Sequence, residues 1–159
     1  MRRRRDRVQK RHVFAAHLVV SQEGSVVIET TLAFMILMVF VLGIVEFSMM
    51  GYTYSVVAEA ARQGVRYATL HGTSSASCSG PSTGCADSSA GKVTDSVTTY
   101  VANFAGNVSG TSVNVNYLDG SSAPSSRVLV WVTYTYAPMF KLPGFAQNFQ
   151  VSSEGRIVY

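Results

Sequence analysis

Residues 32–45 are fourteen consecutive apolar positions, and Glu29 and Glu46 are the charged residues that bracket them. A run of that kind leaves a helix no polar face, so it demands either a lipid bilayer or the centre of a protein core. Residues 28–70 contain no proline, and the apolar run passes straight into an amphipathic stretch with no polar cluster between them. The pattern predicts one helix over residues 28–70, about 65 Å long and roughly twice the ~30 Å thickness of the hydrocarbon layer. Half of that helix must stand outside a membrane. Glu29 and Glu46 each fall about 13 Å from the midpoint near Leu37, at the edges of the hydrocarbon, where a charge costs least. The ten Leu, Ile, Val and Phe residues between them contribute about −3 to −6 kcal/mol to insertion, against ~3 kcal/mol for a charge even at mid-bilayer. Insertion wins, and a buried core helix is the lesser alternative.

Charge sets the expected orientation. Arg2, Arg3, Arg4, Arg5, Arg7, Lys10 and Arg11 precede the apolar run, seven of the thirteen Lys and Arg in the chain. The excess of basic residues on that side places the amino terminus in the cytoplasm and residues after about 50 on the extracytoplasmic side. The formal net charge of +4 divides unevenly. Residues 1–24 hold seven positive and two negative groups, +5, and residues 25–159 hold six positive and seven negative, −1. A near-neutral body lacks the basic face that a nucleic-acid-binding domain needs, so a topology signal explains the leader. The sequence therefore divides into a basic leader at 1–24, a membrane-spanning helix at 25–50 and an extracytoplasmic domain at 51–159.

Within that domain, Ala58, Ala61, Val65 and Ala68 recur at helical spacing and form a stripe of mostly small side chains, suited to close approach by a sheet or a second helix. Glu59, Arg62 and Arg66 mark the solvated face. Residues 72–91 are rich in Ser, Gly and Thr and read as a loop. Cys78 and Cys85 lie in it, either as a disulfide on an oxidising side of the membrane or as two free thiols. Residues 92–106 return to helical spacing, with Val93, Val97, Val101 and Phe104 on one face and Gly106 as the stop. Period-two alternation follows at Val113, Val115 and Tyr117, then at Val128, Val130, Val132, Tyr134 and Tyr136, with a turn over residues 119–124 between. Residues 138–147 read as a loop with exposed Phe140 and Phe145, and residues 149–159 supply a third strand. The expected fold is α+β: a long N-terminal helix, transmembrane and then extracytoplasmic, a second short helix, and a small antiparallel sheet of about three strands.

Gln22-Glu23-Gly24 followed by Ser25-Val26-Val27-Ile28-Glu29 resembles the processing site of type IV pilin-like precursors, in which a peptidase cuts after a Gly and leaves a Glu as the fifth residue of the product. Thr30 departs from that pattern, which commonly has an aromatic residue there. The run Gly43-Ile44-Val45-Glu46-Phe47, then Tyr52, then Ala60-Ala61-Arg62-Gln63-Gly64-Val65-Arg66-Tyr67-Ala68 is similar to the amino-terminal signature of the TadE-like family, minor pseudopilins of the tight-adherence pilus. The resemblance spans about residues 22–72. It implies cleavage between Gly24 and Ser25 by a prepilin peptidase, with Glu29 near the new amino terminus. It also implies association with other pilin or pseudopilin subunits and with an assembly platform in the bacterial inner membrane. Glu29 reads either as the partner of a terminal ammonium or as a headgroup-level residue. Glu46 reads either as a helix-contact residue or as a group at the outer interface.

Catalysis has little material. His12 and His17 lie in the leader and His71 is the one histidine beyond it, too few for a Ser-His-Asp or zinc constellation. The expectation is a protein that is not an enzyme, with no catalytic residue, metal, cofactor or small-molecule substrate. An uncleaved, single-pass anchored envelope or binding domain is the alternative function.

Overall fold

The computed structural model describes residues 24–106, 109–139 and 147–159, together with the backbone of residues 2–23. The fold is α+β, in the order α1 (Arg2–Leu70), α2 (Gly91–Ala105), β1 (Thr111–Tyr117), β2 (Arg127–Tyr136) and β3 (Gln147–Arg156). α1 therefore runs back through the leader, well before residue 28. The expected loop with Phe140 and Phe145 lies outside the described residues. The chain forms two compact units, Met1–Val45 and Glu46–Tyr159. The first is helical, and its side chains from Gly24 to Val45 are all exposed.

The second unit is built on a three-stranded antiparallel meander, β1-β2-β3. Val113 sits opposite Val132 and Val132 opposite Val151, so the valines of one pleat face line up across all three strands. Alternation in β2 is strict: Val128, Val130, Val132, Tyr134 and Tyr136 are buried, whereas Leu129, Trp131, Thr133 and Thr135 are on the other, more exposed face. α2 contributes Val93, Val97 and Val101, all fully buried. β-branched residues lose side-chain freedom in a helix, so α2 owes its stability to this burial rather than to propensity. Phe104, expected on the same face, is 51% exposed. The buried face steps from Val93 through Val97 and Val101 to Ala105, which packs against the core, so Phe104 falls to one side of it and its ring packs on Tyr100 instead.

α1 covers the same core with small residues. Ala60, Ala61 and Ala68 are fully buried, as is Val57, with Val65 nearly so. Ala58, expected in the stripe, is only half-buried; the buried face is centred on Val57, Ala60, Ala61 and Gly64. Gly64 marks the closest approach. A Cβ there would lie 2.5 Å from Val97 Cγ2 and 3.2 Å from Val130 Cγ1, so both α2 and β2 press on the α1 backbone. Gly155 on β3 is in the same position against Val65 and Thr69.

At the other end of α1 the loop of residues 72–91 is tied into the fold. Cys78 and Cys85 are disulfide-bonded. Ser79 N–H donates to the His71 carbonyl at 2.8 Å, and the Tyr117 hydroxyl donates to the Ser79 carbonyl at 2.9 Å. Asp87 gathers the donors that open α2. Its carboxylate accepts from Ser79 Oγ at 2.6 Å and from the Gly91 and Lys92 backbone N–H groups at 2.8 Å each. Burial works against the charged form, but these bonds and a longer one from Ser89 together hold the Asp87 carboxyl below its ordinary value of 3.8. The same charge, added to burial, pushes the Tyr117 hydroxyl up to about 12.

Two consequences can be measured by thermal unfolding of the full-length protein in detergent. Gly64→Val should destabilise by about 1–3 kcal/mol through overpacking, whereas Gly51→Ala, whose Cβ would meet no atom within 4 Å, should be neutral or stabilising by up to about 1 kcal/mol. Asp87→Ala should cost about 0.5–2 kcal/mol at neutral pH by removing a helix cap. Because the folded carboxyl titrates below its unfolded value, that stabilisation is complete above about 3.8 and is lost as pH falls through the lower folded value. The gap between variant and wild type should close over that acidic range and remain constant above it.

Candidate membrane and assembly helix

One helical stretch among the described residues, Gly24–Leu70, is long and apolar enough to cross a membrane, and its most apolar window is not buried inside the protein. Ile28 is 70% exposed and Phe40 67%. Water is a poor solvent for such a surface, which at ~25 cal/mol per Å² gains by transfer to an apolar phase. The polar groups near its start are already satisfied internally. Thr30 Oγ1 donates to the Val26 carbonyl, and Thr31 Oγ1 to the Val27 carbonyl at 2.7 Å. Hydroxyls returned to the helix in this way need no water, so both threonines are compatible with lipid. Gly24, Ser25 and Glu29 are all exposed on this helix. The Gly24–Ser25 bond lies within regular helix, one turn before Glu29.

Glu46, the first residue of the second unit, is positioned by β2 and the chain that follows it. Its Oε1 accepts from the Tyr136 hydroxyl at 2.7 Å and from the Met139 backbone N–H at 3.2 Å. Oε2 is buried and makes no hydrogen bond among the described residues. Burial, with the acceptor bond to Glu46 and its charge, pushes the Tyr136 hydroxyl up to about 12. The carboxylate thereby joins α1 to the end of the central strand, within its own unit. Neither the sequence spacing nor the composition showed this. Strand alternation placed Tyr136 on the inner face, but the partner at the far end of a 90-residue separation leaves no local signal.

Other expected site residues are distributed along the second unit. Ala61, Val65 and Ala68 are buried against the sheet and α2, and Ala58 borders them. This stripe is therefore occupied by the fold itself. The disulfide of Cys78 and Cys85 lies in the loop beyond Leu70, where Ser82 Oγ accepts from the Ser122 backbone N–H at 2.8 Å. Among the described residues no group of three or more His, Cys, Asp and Glu side chains could hold a metal ion.

The family model for TadE-like proteins matches residues 24–66. The matched segment begins at the Gly24 of the expected processing site, takes in Glu29 and Glu46, and ends at Arg66 within the buried half of α1. α2 and the sheet lie outside it. No curated protein and no solved structure matches the chain.

The Glu46–Tyr136 bond gives a direct test. Tyr136→Phe removes a donor from a charged acceptor and should destabilise the second unit by about 1–3 kcal/mol. In a Glu46→Ala background the same change should cost much less. Equal costs in the two backgrounds, measured by thermal unfolding, would mean that the bond contributes nothing.

Proposed function

We propose that this chain is a minor pseudopilin of a tight-adherence pilus, made as a membrane precursor and cut by a prepilin peptidase between Gly24 and Ser25. The observation that carries the reading is a coincidence of three features on one helix. The segment that matches the TadE-like family is also the exposed apolar stretch, and it starts at the Gly of a Gly-to-Glu processing pattern. In this reading the basic leader stays in the cytoplasm and residues 25–50 span the bacterial inner membrane. The sheet and α2 stand on the extracytoplasmic side, where an oxidising environment suits the disulfide. Glu29 lies one turn from the Ser25 ammonium created by cleavage, and the two charges neutralise each other, within one subunit or between neighbours.

The exposed face of residues 25–45 then serves twice. It holds the precursor in lipid, and it packs with the helices of other pilin subunits and of the assembly platform when the mature subunit leaves the bilayer. Helices transferred from lipid to one another gain little hydrophobic energy, so close packing and polar contacts decide the association. The protein acts by assembly in this proposal; we assign it no reaction, cofactor, metal or nucleic-acid partner.

Mass spectrometry of the amino terminus, on protein extracted from cells that carry the intact assembly system, tests the reading. A mature chain beginning at Ser25 is expected. Gly24→Leu should retain the leader and abolish pilus assembly without reducing the amount of membrane-bound protein. A wild-type chain that keeps residues 2–24 would overturn the proposal and leave a single-pass anchored envelope or binding domain.

A further inference from the structure

The charges of the second unit are segregated. Apart from Glu46, whose Oε1 is engaged by Tyr136 and Met139, no Asp, Glu, Lys or Arg occurs in residues 47–58, 96–106, 128–139 or 147–153. One end of each of these stretches lies toward Glu46, and Lys141 falls in the sequence between the last two, outside the described residues. Tyr52 donates its hydroxyl to the Phe104 carbonyl at 3.3 Å, which fixes the last turn of α2 beside the first turns of α1 after Glu46. Tyr54 packs edge-on against Phe149, and Phe149 against Tyr136, on the β3 side. What this end presents to its surroundings is aromatic and thioether: Phe47 is 73% exposed, Met139 69%, and Tyr52, Tyr54 and Phe104 about half.

Resting on the membrane-anchor reading above, we infer that this end of the folded unit is itself a lipid-binding surface, seated in the headgroup region with Phe47, Tyr52, Tyr54, Phe104 and Met139 inserted at the acyl boundary. Chain distance keeps it within reach of the end of the span. Tyr52 is seven residues beyond Val45, the last residue of the apolar run, and seven helical residues rise about 10 Å. Phe104 is held to Tyr52 by a hydrogen bond, so it lies beside it. A headgroup and interfacial layer begins where the ~30 Å hydrocarbon ends and reaches several ångströms further on each side. That layer is therefore within reach of these side chains. Tyrosine suits that position, because its ring takes the apolar boundary while its hydroxyl stays hydrated. Among the described residues the exposed side chains at this end are uncharged, which makes their contact hydrophobic rather than electrostatic, so it discriminates little between anionic and zwitterionic lipids. The surface is continuous along the chain with the span itself, which is why lipid is the occupant.

Fluorescence tests this with the full-length protein in phosphatidylcholine–phosphatidylglycerol vesicles whose phosphatidylcholine is brominated at the acyl carbons nearest the headgroup, at one subunit per many vesicle lipids. The chain has one tryptophan, Trp131, on the outer face of β2, and it supplies the internal reference. In a Trp131→Phe background, Phe104→Trp and Met139→Trp should each emit at shorter wavelength than Trp131. Each should lose most of its emission to brominated lipid and resist the aqueous quencher acrylamide. Replacing phosphatidylglycerol by phosphatidylcholine should leave these results unchanged. Phe40→Trp reports the span separately: if it escapes lipid bromine, the anchor reading fails, whatever the other probes show. With Phe40→Trp quenched, equal acrylamide access at Phe104→Trp, Met139→Trp and native Trp131 would overturn the lipid surface. Shielding from acrylamide without quenching by bromine would also overturn it, by showing that a second protein surface covers this end.

Discussion

The second unit depends on how closely a helix backbone can lie against a sheet. At Gly64 the α1 main chain is pressed from two sides, by Val97 of α2 and Val130 of β2, and at Gly155 the roles reverse and a strand yields its side chain to Val65. Between these points the α1 surface is built from Ala60, Ala61 and Ala68, none of which is accessible to solvent. The fully buried larger apolar residues opposite and around them are all valines, at positions 57, 93, 97, 101, 128, 130 and 132. Short, stiff side chains meeting a nearly bare backbone make a thin layer with little freedom to rearrange. A thicker residue anywhere along this seam must displace strand or helix, because no flexible side chain is present to give way.

α1 is one helix that answers two different physical demands. From Leu32 to Val45 it is apolar all round and its side chains are exposed. From Glu46 onward it carries a narrow buried stripe and a charged outer face at Glu59, Arg62 and Arg66. Helical hydrogen bonding is indifferent to that change, so the backbone continues uninterrupted while the solvent requirement of its side chains changes over the turns between Glu46 and Glu59. Glu46 stands at the switch. Its carboxylate is engaged by β2 through Tyr136, which ties the helix to the sheet.

Features governed by period were legible in the sequence. The apolar run, the small-residue stripe, the valines of α2 and the alternation of β2 all follow from side-chain spacing, and the structure has each of them. The amino-terminal resemblance was legible for a different reason, since order and spacing within one helix survive in the linear sequence, and the match over residues 24–66 lies where those residues are. Features that depend on chain ends and on distant partners were not. Phe104 has helical spacing to Val93, Val97 and Val101, but the buried face continues in steps of four to Ala105 and leaves Phe104 exposed at its side. Ala58 has the right spacing for the stripe and lies at its margin, because the buried face is centred one residue away on Val57. Asp87 gave no sign that it would reach both Ser79 and the first N–H groups of α2, since that geometry requires the loop to fold first.

The position of β3 has a consequence for the time course of folding. β3 supplies Gly155, and of the residues just after it Ile157 N–H donates to the Ser126 carbonyl before β2 and Val158 N–H to the Thr69 carbonyl at the end of α1. Val65 and its cover on β3 are about ninety residues apart, a separation whose closure entropy is about 4 kcal/mol. Synthesis delivers that cover last, after α1, α2 and both other strands have emerged. The part of α1 at Val65 and Thr69 therefore stays uncovered until β3 has emerged, after α2 and β2 are available to cover Gly64.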